Sequence, residues 1–182
     1  MDGSEISMER VVRRIGTHTM SNGKEIVLCA LSLKDFVAAR DKCLSEFKRR
    51  QLLTWTENVD LLPEDERQGY LREAFARVEQ LTVDQLPKQT VVDEGIPMTL
   101  DYASWWMSDT AEGKLFTTWL SMRKAQGQEK LTLDDIDNIF MDAQQDLDNA
   151  SKTVGDLSAA KLGNSEAPET TRERRKTKRR RR

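Results

Sequence analysis

His18 is the chain's only histidine, and Cys29 and Cys43 are its only cysteines. These three side chains are the first place to look for a base, a nucleophile or a metal ligand. Their spacing argues against all three roles. The cysteines form no C-x-x-C pair and have no histidine at zinc-ligand distance. The thiols either bridge one another or stay reduced in a cytoplasm, and so few cysteines favour the reduced state. The stretch Ser21-Asn22-Gly23-Lys24 has too few glycines for a phosphate-cradling loop. Asp134, Asp135 and Asp137 begin like a calcium loop, but the glycine and the closing glutamate are missing. The expectation is a non-catalytic protein with no metal, no cofactor and no small-molecule substrate.

The residues suited to binding are of two kinds. From Thr170 to Arg182 there are nine basic residues, namely Arg172, Arg174, Arg175, Lys176, Lys178, Arg179, Arg180, Arg181 and Arg182, against the single acid Glu173. That tail carries +8 in a chain of net charge −2, so the remaining residues carry −10. Such a run neutralises phosphates without reading sequence, and it has no aromatic residues on which bases would stack. The other reading is a solvated tail that meets polyanions incidentally. The second kind lies in the acidic body. Trp105 and Trp106 are adjacent, so a helix cannot turn both toward one core. One of them is expected near the surface, where tryptophan is a frequent binding anchor. Arg40 falls inside an apolar stripe. It either snorkels to water or pairs with an acid on another helix or a partner.

These groups need elements to hold them. Ala111 to Gln126 sweeps an apolar arc of about 180° through Leu115, Phe116, Trp119, Leu120 and Met122, wide enough for a helix packed between neighbours. It is taken as the centre of the core, with Trp119 buried. Asn22-Gly23 between two β-prone runs predicts a hairpin over 15–29, with a type I′ turn. Ser32 and Asp35 open a helix to about Trp55, with Leu33, Phe36, Val37, Cys43, Leu44 and Phe47 on its apolar side. Pro63 starts another helix, to Leu81, whose face is Tyr70, Leu71, Ala74, Phe75, Val78 and Leu81. Residues 82–97 read as a connector broken by Pro87, Gly95 and Pro97. Thr99 and Asp109 are candidate N-caps for a short helix and for the central one, and Gly127 for the central helix's end. Thr132 caps a last helix over 132–148.

The expected fold is therefore mainly α, a compact bundle of about four to five helices with a short N-terminal β-hairpin and a disordered basic C-terminal tail. Residues 1–14 form an N-terminal segment, 15–150 the helical domain, and 151–182 the disordered tail, basic from 172. Met1 to Arg10 has no apolar core of a signal peptide, and no run reaches the roughly 20 apolar residues of a membrane span. No membrane contact is expected.

Three stretches, in order, resemble the phage tail assembly chaperones. The first is Ser21-Asn22-Gly23-Lys24-Glu25-Ile26-Val27-Leu28 with Ala30-Leu31-Ser32-Leu33-Lys34-Asp35. The second is Gly113 to Lys124, with Trp119-Leu120-Ser121-Met122-Arg123. The third is Leu131-Thr132-Leu133-Asp134-Asp135-Ile136. Together they span roughly residues 20 to 145, and the long Arg tail is less typical of the family. The resemblance implies a cytoplasmic helical protein, absent from the mature virion, that coats the tape measure protein and brings tail tube protein to it. In many phages a frameshift also makes a minority extended form. The alternative is a nucleic-acid-associated adaptor that holds DNA or RNA through its Arg-rich tail.

Overall fold

The computed structural model describes residues 14–57, 59–93, 95–125 and 127–161. The architecture is mainly α. Strands β1 (Ile15–Thr19) and β2 (Glu25–Cys29) lead into α1 (Leu33–Thr56) and α2 (Glu64–Glu79). Strands β3 (Gln89–Asp93) and β4 (Ile96–Leu100) follow, then α3 (Tyr102–Asp109), α4 (Ala111–Met122), α5 (Leu133–Phe140) and α6 (Gln144–Lys161). Short 3-10 turns occupy Val59–Leu61 and Val83–Gln85.

The first hairpin forms where expected, in antiparallel register from Ile15↔Cys29 to Thr19↔Glu25. Its turn differs. The Gly23 amide donates to the Met20 carbonyl and the Met20 amide to the Lys24 carbonyl, both at 2.9 Å. This is a three-residue loop with Gly23 at φ +79°, in place of a two-residue type I′ turn. The longer loop frees the Ser21 amide to point at α6.

Helix α4 is the centre of the body: it packs against α1, α3, α5, α6 and β2. The apolar arc read from the sequence is not its most deeply buried side. Leu120 and Met122 are buried, but Leu115, Phe116 and Trp119 are only partly buried, packed on the edge of the core. The other buried positions are small: Gly113, Thr117, Thr118 and Ser121. They let neighbouring backbones come close. Ser121 Oγ accepts from the Cys29 amide at 2.8 Å and donates to the Cys29 carbonyl at 2.7 Å. One hydroxyl thus satisfies both backbone groups at the end of β2. Trp119 instead lies at the margin, where its indole N–H donates to the Leu131 carbonyl at 2.8 Å and the Arg123 guanidinium sits 4.5 Å from its ring centre.

Two apolar clusters flank α4. One joins Leu28, Leu31 and Ala39 to Ile136, Phe140, Leu147, Ala150 and Val154. The other gathers Cys43, Leu86, Tyr102, Ala103 and Trp106.

Several boundaries move. The segment read as one helix over 132–148 is two, because the chain turns at Met141–Ala143 between α5 and α6. The bend places Asp146 in the first turn of α6, facing the first hairpin. Helix α6 then runs to Lys161, so the tail does not begin at Ser151. Ala150, Val154 and Ser158 continue the buried stripe of Leu147. Asp101, not Thr99, caps α3, with its carboxylate accepting from the Ser104 amide at 3.0 Å. Thr110, not Asp109, caps α4 by accepting from the Gly113 amide at 3.1 Å. Gly127 does not cap α4, which ends at Met122; it takes φ +83° in a later turn. Most of the connector after α2 is ordered as the second hairpin, turning at Gly95 with φ +82°.

Candidate partner-binding surfaces

The body is locked by two buried carboxylates. Asp146 accepts from the Ser21 amide at 3.0 Å and from the Ser21 hydroxyl at 2.7 Å. His18 Nε2 lies 4.0 Å from the same carboxylate. Serine, aspartate and histidine are together, but not in the order of a nucleophilic triad. The carboxylate, not the imidazole, accepts the hydroxyl's hydrogen bond, whereas a triad needs the base on the nucleophile. The group ties the hairpin turn to α6.

Asp35, at the start of α1, accepts from the Ser32 amide and hydroxyl and from the Lys124 ammonium. Burial alone would raise its pKa, but Lys124 and Ser32 together bring the carboxyl below its usual 3.8. The Ser21 hydroxyl and then its amide lower Asp146 in the same direction. Both groups bind a proton less readily folded than unfolded. Their stabilisation is therefore complete above the unfolded pKa and is lost as pH falls through the folded one. The melting temperature should drop on acidification from roughly pH 5 toward pH 2. That drop should be shallower in Asp35→Asn and Asp146→Asn. An equal slope in all three proteins would show that other carboxylates carry the acid sensitivity.

Of the residues proposed from sequence for partner binding, Trp106 is enclosed at 1% exposure and forms no surface. Trp105 is partly buried, packed on the second cluster with its ring 5.2 Å from that of Tyr102. Arg40 is exposed on α1, and its guanidinium lies 3.3 Å from Asp84. Its charge also helps lower the Asp101 carboxyl, after the Ser104 hydrogen bonds. Arg40 thus serves the joint between α1 and the turn after α2. The basic residues from Arg172 to Arg182 lie outside the described residues.

The structure adds a surface that the sequence did not single out. Helix α2 packs on α1 and on the turn at Val59–Leu61, with no comparable third neighbour among the described residues. Its apolar stripe is therefore only half covered. Ala74 and Val78 are buried against α1, while Tyr70 is 38% and Phe75 50% exposed. Leu53 near the end of α1 and Leu61 in the turn are 52% and 82% exposed. A shallow groove of about 200 Å³ between the helices is lined by Trp55, Tyr70, Glu73, Ala74 and Arg77. A helical arm with exposed apolar groups along the margins of its packed face is a form taken by surfaces that seat another amphipathic helix. Among the described residues no helix is long and apolar enough to cross a membrane. Among them, too, no cluster of three or more His, Cys, Asp or Glu is placed to hold a metal.

Comparison with protein-family models, with curated proteins and with solved structures finds no match for this chain.

Proposed function

We propose that this protein is a non-catalytic assembly chaperone that holds a long amphipathic helix of a partner against the α1–α2 arm and keeps that partner soluble. The observation that carries the reading is the half-covered stripe of α2, together with the exposed side chains of Leu53 and Leu61 on the same two-helix arm. Burying such a stripe against a partner is favourable by roughly 25 cal/mol per Å² of apolar area, before association costs. The resemblance of the three sequence stretches to phage tail assembly chaperones names the partner class. It is the tape measure protein, a long helix whose bare apolar stripes would aggregate, with tail tube protein as the subunit to be recruited. The site of action on this reading is the host cytoplasm.

The second reading, an adaptor holding DNA or RNA, is favoured by the +8 charge of residues 170–182. Salt separates the two. Contacts made by apolar groups persist when charges are screened, whereas phosphate contacts weaken steeply. Coexpression of residues 1–171 with a tape measure protein, where one is encoded beside this gene, should yield a soluble complex. Deleting Arg172 to Arg182 should leave cooperative unfolding intact while removing most polyanion binding. A cut after residue 150 is a different matter, because it takes Val154 and Ser158 out of the body. That truncation should lower the melting temperature. A partner held only by the full-length chain and released by salt would replace the chaperone reading with the second one.

A further inference from the structure

We infer that the outer edge of β3 is self-pairing, so that two copies of this chain join β3 to β3 antiparallel and form a four-stranded sheet. The inference does not rest on the chaperone reading and concerns a different face. Strands β3 and β4 pack chiefly on each other, and an isolated two-stranded ribbon is marginal in water. It nonetheless exposes Val92 at 70%, Ile96 at 64% and Met98 at 43%.

The register says which edge is open. Two residues separate Asp93 from Ile96, and these two are paired. The closing pair of such a hairpin is hydrogen-bonded, and pairs alternate along the ladder. Val92↔Pro97 and Thr90↔Thr99 are then the pairs whose backbone groups face outward. On β4 one of those positions is Pro97, which has no N–H, so this edge is blunted. On β3 the outward positions are Thr90 and Val92, each with both a donor and an acceptor.

Antiparallel pairing about Val91 sets Thr90 opposite Val92 of the second copy, and Val92 opposite Thr90. All four outward amides and carbonyls of the two strands are satisfied. The same register overlaps all five residues of β3 with all five of the second copy, Gln89 falling opposite Asp93 at either end. Pairing about Thr90 instead would set Val92 and Asp93 against Lys88 and Pro87, outside the second strand.

The test is sedimentation of the full-length protein across a concentration series, together with cross-linking. A dimer should form as concentration rises. Thr90→Lys with Val92→Lys places like charges opposite each other and should weaken dimerisation about tenfold or more. Thr90→Glu with Val92→Lys restores opposite pairs and should restore the dimer. Val91→Cys lies on the twofold axis at a non-hydrogen-bonded pair, where Cα atoms are about 4.5 Å apart and a disulfide fits. Oxidised glutathione should link it into dimers, and Cys29 and Cys43 are buried away from the reagent. Gln89→Cys falls opposite Asp93, not itself, and should link far more slowly. Circular dichroism checks that each variant is folded. A monomer at every concentration, a double-lysine variant that dimerises as before, a Glu/Lys variant that stays monomeric, or equal linking of the two cysteine variants would overturn the proposal.

Discussion

Gly113→Ala should unfold this protein, although alanine is the better helix former. A Cβ at Gly113 would lie 1.8 Å from the Trp106 carbonyl oxygen, 2.5 Å from its carbon and 2.9 Å from the Met107 Cα. All three are backbone atoms, so no rotamer change relieves the overlap. The Trp106 carbonyl is also fixed from the other side. It accepts from the Thr110 hydroxyl at 2.7 Å, and Thr110 in turn caps α4. Relief would require α3 to move off α4 and would open both apolar clusters. The expected loss exceeds about 5 kcal/mol, which is comparable to the whole stability of an ordinary domain. Gly69, mid-way along α2, has open space at its Cβ position. There the same substitution should stabilise the protein by up to about 1 kcal/mol. Opposite signs at two helical glycines separate close packing from helix propensity. A folded Gly113→Ala protein with an unchanged melting temperature would show that α3 and α4 are not in this contact.

The second large effect belongs to Trp106. Its ring is 1% exposed and stands 6.2 Å, centre to centre, from Phe116. Trp106→Ala should cost about 3–5 kcal/mol, a fall of roughly 10 °C in melting temperature. The indole N–H has no acceptor among the described residues. Trp106→Phe should therefore recover much of the loss, since it gives up volume but no hydrogen bond. Trp119→Ala should be milder, because that ring is only partly buried, at the edge of the core. If Trp119→Ala proves the more damaging of the two, the assignment of the core is wrong.

The contrast between the two tryptophans shows what the sequence carries and what it does not. Helix starts were legible where a side chain announces them: Ser32 with Asp35, Pro63, and Thr132. The first hairpin was legible from Asn22-Gly23. The centrality of α4 was legible too, but from the wrong face. Periodicity counts large apolar side chains, and the deepest side of α4 is Gly113, Thr117, Thr118 and Ser121, with other backbones approaching at Gly113 and Ser121. The second hairpin was hidden by Pro97, which ordinarily argues against a strand and here sits on an outer edge. The end of α6 was hidden because Ala150, Val154 and Ser158 keep the helical spacing with small residues. For the candidate site the limit is more basic. Tyr70, Ala74, Phe75 and Val78 all belong to one amphipathic stripe, but a stripe does not say what covers it. Only the packing of α2 on α1 distinguishes Ala74, which is buried, from Phe75, which is not.

The most direct measurement joins that surface to partner retention. Full-length protein and its Leu61→Ser, Phe75→Ser variant are each coexpressed with the long helical partner and purified at about 1 M salt, where surface charges are screened within roughly 3 Å. Both substituted side chains are at least half-exposed, so the helical circular dichroism of the variant should match that of the parent. The parent is predicted to keep the partner in solution, and the variant to leave it insoluble. A folded variant that still holds the partner at high salt would contradict the assignment of the α1–α2 arm as the binding surface.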